Sequence, residues 1–309
     1  MKRILGLIII NIIAIAVFGL LTPNFLSSAN LTVIIDHLSL EAIALAGYTL
    51  LLVSGNFDLS TDGIVALTGV LAGLMMTNGV HWIIAVGIAI TCAGLIGLFN
   101  GYIVSKVGIN GLIATLTTWW ICIGITFGLT KAIAPFGFSD TFQLLGQTRI
   151  LGFRSTVFYA IIIAIVLSVV LHKTKLGSHL YLSGDNRKAS EMMGINTTNL
   201  GMGMYALVGL LAGFIGIMIT SRLDAASPSA VDGMVLRVIA AAVIGGANLS
   251  GGKGSIVGGL LGLLLMGILS NAVIQLGISP YWQKAILGSI LLVAVLSEQF
   301  KLTDRRKNE

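Results

Sequence analysis

Charge is scarce in this sequence. Asp, Glu, Lys and Arg make up 10% of its 309 residues, where a soluble domain carries about 25% to clothe its surface. That scarcity excludes an ordinary water-soluble enzyme or binding module. The short alternating apolar and polar stretches of a transmembrane β-barrel are also missing. There is no His-Glu-x-x-His zinc-protease pattern, and the four histidines, His37, His81, His172 and His179, are scattered, mostly at the ends of apolar blocks, as interfacial or loop residues. The two cysteines, Cys92 and Cys122, lie inside apolar blocks without metal-ligand spacing and read as small packing residues.

What is present is apolar and continuous. Hydrophobic residues make up 56% of the chain, and the mean hydropathy is +1.00. Apolar blocks fall at residues 4–21, 38–53, 63–76, 82–104, 112–129, 157–171, 202–219, 238–246, 256–274 and 285–296. Blocks of about 18 residues or more cross the hydrocarbon core as helices, and in lipid only a helix satisfies its own backbone. The expected fold is all-α: one polytopic transmembrane helix bundle over residues 1–309, with about ten spans. The blocks at 63–76 and 238–246 are too short to cross alone, so broken or re-entrant helices are expected there, buried in protein or lining a cavity. Met1-Lys2-Arg3 and the following block have a signal-peptide flavour, with Ser27-Ser28-Ala29 as a passable cleavage site. The block is long for a signal and the rest of the chain is equally apolar, so a retained first span is expected.

The net charge of +6 is a topology signal and not a nucleic-acid footprint, because the basic residues lie between the apolar blocks. With ten crossings, Lys2, Arg3, Lys106, Lys173, Lys175, Arg187, Lys188, Lys253, Lys301, Arg305, Arg306 and Lys307 share one side; Lys131, Arg149, Arg154, Arg222, Arg237 and Lys284 share the other. The positive-inside rule then places both termini and the loop 173–199 in the cytoplasm, and 131–156 outside. Glycine is plentiful, at 39 residues. The spacings Gly209, Gly213, Gly216 and Gly258, Gly259, Gly262 allow close helix contact. Gly55-Asn56-Phe57-Asp58-Leu59-Ser60 is echoed by Gly245-Gly246-Ala247-Asn248-Leu249-Ser250. Paired Gly-interrupted segments point to a transport pathway, although so short a match also arises by chance.

Leu249-Ser250-Gly251-Gly252-Lys253 has the look of a nucleotide-binding motif. A phosphate-binding loop needs a glycine five residues before the Gly-Lys and Ser or Thr after it, and Ala247 and Gly254 stand there. The chain therefore shows no energy source of its own. Asp58 and Asp62 flank a break between apolar blocks; either they are functional charges at the membrane, or Ser60, Thr61 and Asp62 cap the next helix. Asp36 and Glu41, at the start of the second span, face either a path or the interface. In 185–195, Asp185 or Asn186 is placed to start a short helix and Gly194 to end it. Ala189, Met192 and Met193 give this helix an apolar face beside Arg187, Lys188 and Glu191. A docking element and a plain solvated linker are both open readings.

Taken in order, the motifs resemble those of the permease subunits of ribose-type ABC sugar importers. Ser54–Asp62 resembles the family's Gly-Gly-x-Asp-Leu-Ser-Val-Gly, and Asn100-Gly101-Tyr102-Ile103-Val104 its Asn-Gly with a following apolar run. Asn110–Thr117 resembles its Pro-Phe-Ile-x-Thr-Leu-Gly. Gly184, Asn186, Ala189 and Gly194-Ile195 match its cytoplasmic Gly-x-Asn-x-x-Ala-Ala…Gly-Ile, and Ile239–Ser255 follows its Ile-Ala-Ala-x-Val-Ile-Gly-Gly…Leu-Ser-Gly-Gly-x-Gly-Ser closely. The resemblance implies an inner-membrane permease with no cofactor of its own, ATP and Mg being held by a cytoplasmic ATPase partner. It also implies a periplasmic sugar-binding protein and a second permease subunit, identical or not. The coupling helix would comprise Asp185, Asn186, Arg187, Lys188, Ala189, Glu191, Met192 and Gly194. Candidate path residues are Asn56, Asp58, Ser60, Thr115, Thr118, Trp119 and Asn271, because sugar hydroxyls need hydrogen-bond partners and a ring face suits an aromatic. Val235 and Arg237 replace acidic residues of the family pattern, Thr117 a glycine, and Asn110-Gly111 a Pro-Phe, which leaves the solute open. The rival reading is an ion-coupled secondary transporter, which needs intramembrane carboxylates; Asp36, Glu41 and Asp58 are its only candidates.

Overall fold

Long apolar runs with internal glycine fold here as closely packed helices. The computed structural model describes residues 2–279 except 230 and 232, together with 282, 285, 288 and 289. The expected last span, 285–296, lies almost wholly outside the described residues. Among them are twelve α-helices: α1 (Lys2–Leu21), α2 (Ser28–Val53), α3 (Thr61–Thr77), α4 (Trp82–Gly101), α5 (Gly111–Thr130), α6 (Asp140–Gln147), α7 (Ser155–Lys173), α8 (Lys175–Asp185), α9 (Arg187–Met192), α10 (Thr197–Leu223), α11 (Met234–Gly245) and α12 (Ile256–Gln275). α4 continues as a π-helical turn, Tyr102–Val107, and stops at Gly108 in the left-handed region. A two-residue hairpin, β1 (Arg149–Ile150) and β2 (Phe153–Arg154), pairs Arg149 with Arg154. Among the described residues the bundle is thus all-α apart from this hairpin and one isolated bridge.

Among the described residues seven helices are long and apolar enough to cross a membrane, and Thr61–Thr77 and Met234–Gly245 are shorter apolar helices. These two are the blocks whose sequence is too short to span. α2 is the central helix. Every residue from Ile43 to Val53 is buried, and α7, α10, α11 and α12 pack around it. Its start at Ser28 corrects the expected start at residue 38. Asp36, His37 and Glu41 depress the hydropathy of the first half, but tertiary partners satisfy the two carboxylates, so the helix extends through them. His37 is accordingly inside a helix and not at an end. His81, by contrast, caps α4, its Nδ1 accepting from the Ile83 amide.

The glycine spacings permit backbone contact, as expected. A Cβ on Gly209 would lie 2.5 Å from the Ala93 carbonyl oxygen, and one on Gly262 2.2 Å from that of Ala241. α10 therefore beds on α4, and α12 on α11. α1 is docked as well: Arg3 donates to the Val243 carbonyl at 2.8 Å, and the Asn11 amide to Leu261 at 3.1 Å. Such contacts suit a retained first span.

Candidate functional site

The short helix α9 forms because its ends are specified. Asn186 Oδ1 accepts from the Ala189 amide at 3.0 Å, which is the N-cap interaction, and Gly194 ends the turn at φ 82°. Asp185 instead closes α8. Arg187 pairs with Glu191 at 3.1 Å and donates to the Ser105 carbonyl at 3.2 Å. Thr197 at the start of α10 donates to the Glu191 carboxylate. That hydrogen bond, aided by Arg187, holds the Glu191 pKa below its ordinary value. Arg187 and Glu191 thus anchor α9 to the ends of α4 and α10. Lys188 and Ala189 remain exposed, and Met192 and Met193 are 89% and 60% exposed.

Behind α9, two loops and the last turn of α8 meet at glycine. Gly184 sits so close to α2 that a Cβ there would lie 2.0 Å from the Val53 carbonyl oxygen and 2.5 Å from the Gly252 nitrogen. A Cβ on Gly251 would be 2.7 Å from Gly55 Cα and 2.9 Å from Gly184 Cα. The Gly252 amide donates to the Val53 carbonyl at 3.0 Å. The two echoed segments, one after α2 and one after α11, therefore converge on one end of the bundle. Each leaves its helix through a left-handed glycine, Gly55 at φ 79° and Gly246 at φ 106°. The segment entering α9 is wedged between them. A polar cavity of about 200 Å³ opens beside the junction, lined by Asn56, Ser105, Arg187, Thr197 and Ser250 among others.

Deeper in, the break between α2 and α3 is pinned from all sides. The Asp58 amide donates to the Tyr48 hydroxyl at 3.0 Å, and that hydroxyl donates back to the Asp58 carbonyl. The Tyr205 hydroxyl donates to the Phe57 carbonyl at 2.8 Å, and the Leu59 amide to Thr115 at 2.9 Å. A side-chain chain runs on from Thr118 to Asn100 at 2.6 Å, from Asn100 to Ser60 at 2.9 Å, and from Ser60 to Asp58 at 2.6 Å. Asp58 Oδ1 also accepts from the Ser60 amide, whereas its buried Oδ2 has no hydrogen-bond partner among the described residues. The capping expectation is thus revised: Ser60 makes no side-chain cap bond, and Asp62 reaches across to accept from the Val235 amide at 3.0 Å.

Of the expected path residues, Asp58, Ser60, Thr115 and Thr118 come together, and Trp119 packs on Gly63 at the head of α3. Asn56 belongs to the cavity behind α9. Asn271 lies apart, exchanging amide hydrogen bonds with Asn30 at 2.9 Å. Sequence reasoning gave Tyr48 and Tyr205 no place, and it took Asn100 only as part of the Asn-Gly motif, not as a site residue. Asn100 carried the only signal, as a lone amide in an apolar block.

The far end of the bundle is built from charge. Asp36 is buried and lies 3.5 Å from Arg154 and 4.0 Å from Arg149 on the hairpin. Arg222 of α10 donates to the Asp36 carbonyl at 3.2 Å. Glu41 pairs with Arg237 of α11 at 2.6 Å. Arg3 and Arg187 lie at the α9 end, and Arg149, Arg154 and Arg222 at the other.

Helices long and apolar enough to cross a membrane, with two helix breaks meeting behind a short exposed helix, make a polytopic membrane bundle. Residues 30–295 match the family described as branched-chain amino acid transport system / permease component. The chain is 37% identical to the ribose import permease protein RbsC of Escherichia coli (strain K12), over 94% of this chain and 92% of that protein. It is 31% identical to the D-allose transport system permease protein AlsC of the same strain, covering 94% and 90%, and 30% identical to the L-arabinose ABC transporter permease protein AraH of Azospirillum brasilense, covering 97% and 89%. No solved structure matches. The chain belongs to this family: it is a multi-pass membrane permease component of a binding-protein-dependent ABC importer, and ATP is bound by a partner subunit.

Proposed function

We propose that this chain forms the membrane path of a bacterial ATP-driven importer for a monosaccharide of the ribose, allose or arabinose kind, the sugars named for its relatives. In this reading α9 docks on the cytoplasmic ATPase, and a periplasmic binding protein delivers the sugar to the charged end. A second permease subunit completes the path, both termini are cytoplasmic, and the chain crosses ten times. The observation that carries the coupling assignment is the glycine junction. Displacing α9 moves Gly184, and Gly184 has backbone contact with both helix breaks. Nucleotide-driven movement at α9 therefore shifts α2, α3, α11 and α12 without a flexible side chain to absorb it. The two end states must differ in their contacts with the ATPase for the cycle to do work. Asp58, Ser60, Thr115 and Thr118 hold the break in shape, and Asn56 and Trp119 flank it.

Co-purification of the ATPase with wild type, Arg187→Glu and Gly194→Pro tests this. Loss of the ATPase from both variants at normal membrane level is expected; retention in both sinks the docking assignment. The ion-coupled alternative has one observation in its favour, the buried and half-satisfied carboxylate of Asp58. Uptake in proteoliposomes that needs ATP and survives collapse of the proton and sodium gradients would dismiss it.

A further inference from the structure

The Glu41–Arg237 pair serves neither the coupling junction nor the helix breaks. Glu41 lies midway along α2, roughly 20 Å from its start at about 1.5 Å per residue. Arg237 is in the first turn of the short helix α11. Its Nη2 and Nε converge on one oxygen, Glu41 Oε1, at 2.6 and 2.8 Å. Among the described residues, neither Glu41 Oε2 nor Arg237 Nη1 makes a further hydrogen bond. The Glu41 side chain is 6% exposed and that of Arg237 27%; replacing so largely buried a pair by apolar residues is often neutral or stabilising, so the pair is a poor device for packing alone. Ionisable groups at this depth mark pathways.

The pair also has space on both sides. A cavity of about 200 Å³ lies toward α10, with Ile219, Arg222 and Met234 in its wall. A second of about 110 Å³ lies toward α12, with Met266, Ser270 and Asn271 in its wall. Glu41, Arg237 and His37 border both, so the ion pair is the partition between them. Together the cavities come near the lower end of the roughly 300–1,000 Å³ range of small-molecule sites. Carboxylate and guanidinium side by side offer an acceptor and fixed donors, the complement of two adjacent hydroxyls. Aliphatic and thioether walls suit the C–H face of a ring.

We infer that Glu41 and Arg237, with His37 at their side, form a hydroxyl-recognition site for a neutral monosaccharide at mid-depth in the bundle. This inference rests on the importer reading and names the residues that contact its substrate. A sugar entering from the charged end inserts two neighbouring hydroxyls against the pair: one donates to Glu41 and the other accepts from Arg237.

The test uses the full importer, this chain with its ATPase and binding protein, in proteoliposomes. The probes are radiolabelled D-ribose, D-allose and L-arabinose. Glu41→Gln, Arg237→Met and the double apolar variant Glu41→Leu/Arg237→Met are compared with wild type. Each is expected to lower uptake about 10–100-fold, the loss of one or two hydrogen bonds to a charged partner, and to change the preference among the three sugars. Membrane level is measured for each variant, and that of the double apolar variant should stay within about twofold of wild type, because apolar replacement of both partners is often neutral. A merely structural pair predicts the opposite for the double variant, and recovery of uptake there would overturn the inference. Should a charge variant fail to reach the membrane, Ser270→Leu decides. It fills the smaller cavity and leaves the pair intact, so unimpaired uptake would overturn the inference and lost uptake with normal ATP hydrolysis would support it. Absence of ATP-dependent uptake by the wild type would overturn the importer reading, and the inference with it.

Discussion

The two ends of this bundle are held together by opposite means. At the α9 end, Gly55, Gly184 and Gly251 bring two loops and the last turn of α8 into backbone contact, with no room for a methyl group on Gly184 or Gly251. At the other end, Asp36, Arg149, Arg154 and Arg222 form a loose charged cluster, and the nearby Glu41–Arg237 pair is bordered by cavities. Close-packed backbone transmits displacement because interiors are dense and barely compressible. Paired charges can exchange partners, and they leave open space that a solute can enter. Under the proposed reading, the contrast is a division of labour: one end would carry movement and the other would meet a small polar molecule.

The sharpest way to break the comparison is Gly184→Ala. The added carbon would lie 2.0 Å from a main-chain oxygen, so the junction must open. Overpacking of this kind costs about 1–3 kcal/mol or more, and uptake should fall at least ~10-fold by the same energy while the ATPase still co-purifies. Normal transport would show that the junction carries no movement. Next in size is Asp36→Asn. Losing one partner of a fully buried pair costs about 3–5 kcal/mol, but Arg149 is 55% and Arg154 26% exposed, which reduces the expected loss to about 1–2 kcal/mol. Thermal unfolding in detergent reads it, and added salt should blunt the difference.

Smaller effects belong to α9. Asn186→Ala removes the cap and should cost about 1 kcal/mol of local stability, seen as faster amide exchange in Arg187–Met192 with the transmembrane helices unchanged. Smallest is the titration of Glu191. Its carboxylate is held below its ordinary pKa of 4.5 by the Thr197 hydroxyl and then by Arg187. The contribution of a group depressed in the folded state is fully present above its unfolded pKa and is lost as pH falls through the lower, folded one. α9 should therefore stay ordered through neutral and mildly acidic pH, and Thr197→Val should raise the Glu191 pKa, measured by NMR of a labelled carboxylate. An unchanged pKa would show that the hydrogen bond is absent in the membrane.

Much of the architecture is legible in the sequence because lipid imposes one rule, that each span satisfies its own backbone. The long blocks therefore appear as helices, and the two short blocks as short helices beside breaks. The reading failed where a polar residue has a distant partner. Asp36 and His37 mask the first ten residues of α2, since hydropathy has no knowledge of Arg154 on a hairpin 118 residues away. Asp62 looked like a local cap because its true acceptor role toward Val235 crosses 173 residues. Around α9 the sequence was more informative. An Asn cap and a terminal glycine are local signals, and Asn186 and Gly194 act as their chemistry suggests. Gly184 was legible as part of the cytoplasmic motif, but not as the point where α8 touches both helix breaks. Asn271, grouped by residue type with Asp58 and Thr115, has its partner in Asn30 instead.

By itself, then, the sequence determined that the chain is a helical membrane bundle, which blocks are too short to cross unaided, and that a capped helix lies in the basic loop. Each of these follows from solvent, charge and near-neighbour chemistry. Only the tertiary structure decided that the two echoed breaks meet at one end, that Gly184 is wedged between them, and that Glu41 faces Arg237 between two cavities. Those facts depend on residues far apart in the chain being brought within a few ångströms, and no local rule encodes that.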